Sequence, residues 1–105
     1  MVVAEADYLI GVRAGREARL RFAEDLGRGL MELACLSTSE VAEAAALDRH
    51  YDSLDLGIVD ASIIVIAHRY GTSRIATLDE RCFRAVVPLQ GGSFTLLPAD
   101  TRLPR

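Results

Sequence analysis

The spacing of hydrophobic residues along the chain predicts helices that alternate with short strands. Apolar residues recur at helical intervals in residues 1–12 and 16–26, and Gly27 and Gly29 follow the second segment. Ser37 and Glu40 have the spacing of a capping box, which predicts that a helix begins near residue 39. The predicted helices are 1–12, 16–26, 39–51 and 60–70, the predicted strands are 31–36, 74–78 and 93–97, and residues 79–83 form a short helix or turn.

This order of elements predicts an α/β fold with a parallel sheet flanked by helices. Short apolar strands between helices are typical of parallel sheets, because the crossover helices cover the faces of the sheet. In such a sheet the carboxyl ends of strands and the N-termini of helices meet at one edge, where open α/β folds place their active sites. Three strands preceded by helices form a small sheet, and none of the three is an evident central strand.

Composition and charge exclude several classes of protein. The chain has 105 residues, half of them hydrophobic, which fits one small domain with a real core. All twelve basic residues are arginines, so every cationic contact to a phosphate would come from a guanidinium group. The net charge of −3 argues against a general nucleic-acid coat protein but is compatible with a nuclease that binds cations in an acidic site.

The cysteines and the longest apolar run favour a cytoplasmic protein. Cys35 and Cys82 lie in unrelated contexts without metal-ligand spacing, which favours two ordinary reduced thiols. The longest apolar stretch, residues 61–67, is too short to cross a bilayer. His50 and His68 are too far apart in the sequence to form a helical zinc-binding pair.

Two aspartates carry the strongest chemical signal. Asp60 lies at the start of the predicted helix 60–70, and Asp79 follows the predicted strand 74–78. At one edge of a parallel sheet these carboxylates would form an oxygen-rich site suited to Mg²⁺ or Mn²⁺. Each residue also has a structural interpretation, since Asp60 suits an N-cap or a first helical turn and Asp79 suits the cap of the following turn.

Glu5 and Thr77 are weaker candidates. Glu5 is surrounded by small and apolar residues, where a carboxylate needs a partner if it is buried; a metal ion, an arginine or the helix N-terminus could each serve. Thr77 could offer its hydroxyl to a metal site or could simply be a strand residue.

The segment LGIVDASIIVIAHRYGTSRIATLDERCF resembles the C-terminal half of PIN-domain ribonucleases, above all the bacterial VapC-type toxins. The resemblance depends on Asp60-Ala-Ser, the apolar helix that follows, Gly71, and the Thr77-x-Asp79 pair followed by Phe83. The opening segment VVAEADYLI looks like the early helix of that family, whose glutamate would be Glu5. The resemblance extends over nearly the whole chain, to about residue 97.

The resemblance implies a PIN-like parallel sheet and a Mg²⁺- or Mn²⁺-dependent endoribonuclease, the toxin of a toxin–antitoxin pair. It implies that Glu5, Asp60 and Asp79 are catalytic metal ligands and that Thr77 is an accessory residue. Arg13 and Arg81 are candidates for contacts with RNA phosphates. The implied partners are an RNA substrate and a cognate antitoxin.

The sequence departs from the family pattern at its beginning. Members of the family begin with a central strand that ends in an aspartate, whereas this chain begins at the later helix. We therefore expect an N-terminally incomplete PIN-like domain over residues 1–97 and a tail over residues 98–105. Three explanations compete: the start codon is placed too far downstream, the chain is a fragment, or the chain is a degenerate member of the family. Exposed strand edges would favour a homo-oligomer or low stability. A sharp unfolding transition of a monomer, by calorimetry and light scattering, would contradict that expectation.

Two alternatives remain at the level of sequence. A PIN-like module that has lost its metal site could bind a protein partner or RNA without cleaving it. A phosphoacceptor receiver domain also places acids at strand ends, but it needs a late lysine and this chain has none.

Overall fold

The computed structural model describes residues 2–77 and 79–101, with side chains from residue 6 onward. The chain divides into two compact units, Met1–Cys35 and Leu36–Arg105. The helices are α1 (Val2–Ala14), α2 (Arg16–Gly27), α3 (Thr38–His50), α4 (Gly57–Arg69) and α5 (Glu80–Ala85), with a 3-10 helix at Asp52–Leu54, and the strands are β1 (Arg74–Ala76) and β2 (Thr95–Leu97). No helix of the described part is long and apolar enough to cross a membrane.

The first unit contains the helix pair α1 and α2. Gly15 lies between the two helices with φ 92°, a backbone conformation that favours glycine. An ion pair joins Asp7 of α1 to Arg19 of α2, with 3.7 Å between its charged atoms. Both helices were predicted from hydrophobic spacing, and their bounds agree with the prediction to within two residues.

The predicted strand over residues 31–36 is wrong. Residues 32–37 have no regular secondary structure, and Met31 and Leu33 are exposed. A strand needs a hydrogen-bonded neighbour, and the sheet of the described residues contains only β1 and β2. The apolar residues in this segment were therefore insufficient to predict a strand.

Helix α3 begins with the capping box that the sequence predicted. The Ser37 hydroxyl accepts a hydrogen bond from the Glu40 N–H, and the Glu40 carboxylate accepts one from the Ser37 N–H. The same carboxylate binds the guanidinium group of Arg69 through two contacts, of 2.8 and 2.5 Å. Glu40 thus links the beginning of α3 to the end of α4.

Helix α4 supplies the centre of the core in the second unit. Ala61, Ile64 and Val65 are buried on this helix, and each buried aliphatic side chain of the size of valine or isoleucine stabilises the fold by about 1.5–3 kcal/mol. The helix ends as predicted at Gly71 (φ 63°), where the N–H groups of Gly71 and Thr72 bond to carbonyls of the last turn.

The two strands of the second unit pair in parallel, with Ile75 opposite Leu96. Both side chains are buried in the core that α4 also enters. Helix α5 lies between the strands in sequence, and Phe83 on this helix packs edge-to-face against Phe94, with 6.0 Å between ring centroids. The predicted α/β fold with a parallel sheet flanked by helices is confirmed.

The chain continues past β2 into a turn at residues 98–100, the start of the predicted tail. The Asp100 carboxylate accepts hydrogen bonds from the Leu96 N–H and from the Arg84 guanidinium group. Arg84 also pairs with Glu80, and these contacts raise the pKa of Arg84 above its usual value. The turn is therefore tied to α5 and β2, while residues 102–105 of the predicted tail lie outside the described residues.

Candidate active site

The chain reversal between α4 and β1 brings Asp60 and Asp79 together. Asp60 lies in the first turn of α4, whereas Asp79 comes after β1 and directly before α5. The chain turns at Gly71 between α4 and β1, and the fold brings the two aspartates close together. Carboxylate oxygens of the two residues and the sulfur of Cys82 lie within 4.8 Å of one another.

Asp60 lies in the first turn of α4, but it is not the N-cap. The helix begins at Gly57, three residues before Asp60, so the interpretation of Asp60 as an N-cap is wrong, whereas its interpretation as an acid of the first helical turn is confirmed. The Gly57 N–H instead donates a hydrogen bond of 3.0 Å to the carboxylate of Asp48, at the end of α3. Because the carboxylate of Asp48 accepts the hydrogen bond of the Gly57 N–H, the start of α4 does not need Asp60 as a cap. The half-buried side chain of Asp60 instead lies close to Asp79 and Cys82.

Asp79 occupies the N-cap position of α5, yet its side chain makes no capping hydrogen bond. The interpretation that its carboxylate caps the following turn is therefore wrong. Its position depends on Thr77, whose hydroxyl accepts a hydrogen bond of 3.1 Å from the Asp79 N–H. This local turn holds the exposed carboxylate at the end of β1.

Cys82 is the third member of this group, and we call Asp60, Asp79 and Cys82 the carboxylate–thiol cluster. Cys82 lies three residues after Asp79 on α5 and is only 5% exposed. Burial raises the pKa of its thiol, and the negative charges of Asp60 and Asp79 raise that pKa further. A hydrogen bond between the thiol and Asp60 acts in the same direction, because it stabilises the protonated sulfur.

The two carboxylates of the cluster fit a hard divalent cation, whereas the sulfur of Cys82 does not. Two carboxylates with oxygens this close repel each other, and an ion between them would relieve that repulsion. Mg²⁺ and Mn²⁺ prefer carboxylate oxygen and water as ligands, and the exposed Asp79 leaves room for water molecules. Asp60 and Asp79 are therefore the residues that could hold such an ion directly.

The other predicted site residues are Glu5, Arg13, Arg81 and Thr77, and the structure describes the side chains of the last three. Glu5 belongs to α1, but its side chain lies outside the described residues, so its role as a third acid stays a prediction. Arg13 is exposed in the last turn of α1. Arg81 is exposed beside the cluster, and its positive charge acts to lower the pKa of Cys82, against the two carboxylates. Thr77 binds the backbone of Asp79, and its accessory role stays a prediction.

Two residues in this region were not predicted from the sequence. Asp48 accepts the hydrogen bond of the Gly57 N–H at the start of α4, and nothing nearby in the sequence indicates this partner nine residues away. Cys82 was interpreted as an ordinary thiol in an unrelated context. A usable signal existed for it, because the spacing Asp79-x-x-Cys82 places both residues on one side of the first turn of a helix.

Comparison with known proteins identifies the family. The PIN-domain family matches residues 1–87 of this chain. The chain is also 43% identical to Ribonuclease VapC26 of Mycobacterium tuberculosis over 97 residues, which cover 92% of this chain and 72% of that protein. Both findings confirm the resemblance that Asp60, the apolar helix and Asp79 indicated. The chain therefore belongs to the PIN-domain family and is a ribonuclease of the VapC type.

Proposed function

We propose that this chain is a Mg²⁺- or Mn²⁺-dependent endoribonuclease and the toxin of a toxin–antitoxin pair. The observation that carries the proposal is the approach of Asp60 and Asp79, whose carboxylate oxygens lie within 4.8 Å of each other and of the Cys82 sulfur. The similarity to Ribonuclease VapC26 supports RNA as the substrate. The same similarity to a VapC-type protein supports a cognate antitoxin as partner.

The proposed reaction is hydrolysis of an RNA phosphodiester bond. A bound divalent cation would lower the pKa of a water molecule and stabilise charge on the phosphate oxygens. Asp60 and Asp79 would hold the cation, directly or through water, with Glu5 as the proposed third acid. Thr77 keeps Asp79 in place through the hydrogen bond to its N–H group.

Arginines are the proposed contacts to the RNA backbone. Arg81 is exposed and directly precedes Cys82 in the sequence. Its guanidinium group is therefore available to bind an RNA phosphate through bidentate hydrogen bonds. Arg13 is a second proposed contact to the RNA backbone.

The proposal also includes a cytoplasmic location and a homo-oligomeric state.

The test is cleavage of a mixed structured RNA with Mn²⁺, Mg²⁺ or EDTA, by the chain and its Asp60→Asn variant. We expect cleavage with either metal ion, none with EDTA, and none by the variant. Asp52→Asn is the matched control, because Asp52 is an exposed acid of the same unit outside the carboxylate–thiol cluster. Equal cleavage by the chain and Asp60→Asn would overturn the proposed site. A folded chain without any cleavage would instead favour the non-catalytic binding module.

A further inference from the structure

The two strands of the parallel sheet present different outer edges. Ile75 of β1 lies opposite Leu96 of β2, and the Thr77 N–H donates a hydrogen bond of 2.9 Å to the Leu97 carbonyl. Because the backbone groups of successive residues in a strand point to opposite sides, the N–H and C=O groups of Ala76 and Leu96 point away from this pairing. The hydrogen bonds of these two residues therefore show which edge of the sheet is open.

The outer edge of β2 is closed by the turn that follows it. The Leu96 N–H donates a hydrogen bond of 2.7 Å to the Asp100 carboxylate, and the Leu96 carbonyl accepts one of 2.6 Å from the Asp100 N–H. The Arg84 guanidinium group holds the same carboxylate with contacts of 2.9 and 2.5 Å. Asp100 thus occupies the place of a neighbouring strand beside β2.

The outer edge of β1 is open. Within the described residues, the N–H and C=O groups of Ala76 have no hydrogen-bond partner, and Ala76 is exposed. The Arg74 N–H is bonded to the Thr72 hydroxyl at 3.1 Å, so the open part of the edge is centred on Ala76. Unpaired backbone groups at a sheet edge are a template for pairing with another strand.

We propose that the open edge of β1 pairs with the same edge of a second copy of this chain, antiparallel and about a two-fold axis at Ala76. The two Ala76 residues then exchange N–H to C=O hydrogen bonds across the axis. Because the edge of β2 is closed, the pairing ends at a dimer. This inference rests on the homo-oligomeric state of the proposed function, to which it assigns a surface, and it is independent of RNA cleavage.

Charge complementarity favours a second copy as the occupant of this edge. Exposed Arg74 begins β1, and exposed Asp79 comes three residues after its end. In an antiparallel pair the two strands run in opposite directions, so Arg74 of each copy approaches the partner's Asp79. A parallel pair would instead place the two Arg74 side chains next to each other, where like charges repel. The small side chain of Ala76 also allows close approach at the axis.

Two substitutions at Ala76 test the pairing. Ala76→Pro removes the N–H group at the open edge and leaves the bonds between β1 and β2 intact, because this N–H points away from β2. Ala76→Lys keeps the N–H group but places two like charges opposite each other across the axis. Thr95→Lys is the matched control, since it adds the same charge at an exposed position of β2. Sedimentation equilibrium measures the dissociation constant of each dimer, and circular dichroism checks the fold of each variant.

We expect the unmodified chain and Thr95→Lys to form dimers with similar dissociation constants. Ala76→Pro should weaken dimerisation by about thirtyfold, because it loses the hydrogen bonds on both sides of the axis and each one contributes about fivefold. Ala76→Lys should weaken dimerisation by about fivefold.

Hydrogen exchange of the unmodified chain tests the same surface without any variant. Measured by NMR above and below the dissociation constant, the Ala76 N–H should be protected only above it. The Leu96 N–H should be protected at both concentrations, because its acceptor is the Asp100 carboxylate of the same chain.

Each contrary result has a distinct meaning. A dimer that neither Ala76 substitution weakens, or exchange at Ala76 that does not depend on concentration, would overturn this surface and leave the homo-oligomeric state to another one. Assemblies larger than a dimer would overturn the two-fold pairing. A monomer at all concentrations would overturn both this inference and the homo-oligomeric state. None of these results bears on the cation site, which the RNA cleavage by Asp60→Asn tests separately.

Discussion

The two ends of α4 use carboxylates in opposite ways. At its C-terminal end, Glu40 is matched by the Arg69 guanidinium group and by the Ser37 N–H group. At its N-terminal end, Asp60 faces a second carboxylate, Asp79, and a buried thiol. One helix therefore separates a pair of opposite charges from a pair of like charges.

The pKa values of Glu40 and Cys82 reflect this difference between the two ends of α4. The hydrogen bond from Arg69, then that from Ser37, lowers the pKa of Glu40 to about 2. At the other end, burial first and then the charges of Asp60 and Asp79 raise the pKa of Cys82. The first arrangement stabilises the ionised form within the protein, whereas the second one creates negative potential that a cation would neutralise. One end of the helix therefore carries an ion pair that stabilises the fold, and the other end carries the proposed cation site.

The largest expected effect comes from removing one like charge. Asp60→Asn keeps the shape of the side chain and removes a proposed cation ligand, so RNA cleavage with Mn²⁺ should fall by about a hundredfold or more. Its counterpart at the other end, Glu40→Gln, should cleave RNA at nearly the unmodified rate per folded molecule. Cleavage rates normalised to the folded fraction measure both. A comparable loss in both variants would show that the two ends are not functionally distinct.

The second prediction concerns stability against pH. Glu40 has an ordinary pKa of 4.5 and a pKa of about 2 in the folded chain, so its ionised form stabilises the fold. That stabilisation is fully present above pH 4.5 and is lost as the pH falls toward 2. Thermal unfolding of the unmodified chain between pH 5 and pH 2 should show this loss.

The matched variant for the pH experiment is Glu40→Gln. It should unfold at a lower temperature than the unmodified chain at pH 6, and the difference should shrink as the pH falls toward 2. A difference that stays constant over this range would contradict the assignment of the pH dependence to Glu40.

A smaller effect is expected at the cap of α4. Asp48→Ala removes the acceptor of the Gly57 N–H, which should cost about 1 kcal/mol in the free energy of unfolding. Because the first turn of α4 carries Asp60, Mn²⁺ binding should also weaken. Urea unfolding and Mn²⁺ calorimetry measure the two effects, and Asp52→Ala at a nearby exposed position should change neither by much.

The smallest predicted effect compares the two ends of β1. Thr77 accepts a hydrogen bond from the Asp79 N–H, and Thr72 accepts one from the Arg74 N–H, both at 3.1 Å. Thr77→Val should lower the RNA cleavage rate a few-fold because Asp79 loses support, since a neutral hydrogen bond is worth about 1 kcal/mol. Thr77→Ser should restore the rate, and Thr72→Val should leave it unchanged. Equal losses in both valine variants would point to a general effect on the strand.

Much of the local structure could be predicted, and the errors share one cause. The capping box at Ser37 and the glycine stop at Gly71 are local signals, because the groups that bond are within five residues of each other. The predicted strand at 31–36 failed because a strand depends on a distant partner. The start of α4 was placed three residues late because its capping group, Asp48, comes from another helix.

The candidate site was likewise predictable where the signal was local and unpredictable where it depended on a distant residue. The types and spacing of Asp60 and Asp79 were enough to predict that these carboxylates lie close together, which the structure shows. The motifs around them also predicted the PIN-domain family, which the comparisons confirm. The membership of Cys82 in the cluster was not predicted, since its distance from Asp60 along the chain conceals their contact.

The sequence by itself determined the presence of the helices, the α/β class, the family and the two aspartates of the candidate site, Asp60 and Asp79. These follow from hydrophobic periodicity, local capping groups and residue type, which act over a few positions of the chain. Only the tertiary structure decided that Asp48 caps α4, that Asp60 and Asp79 are not used as caps, and that Cys82 joins them. The Asp48 contact depends on how the chain turns between α3 and α4, and the cluster depends on how it turns between α4 and β1. Both turns bring together residues that are distant in the sequence.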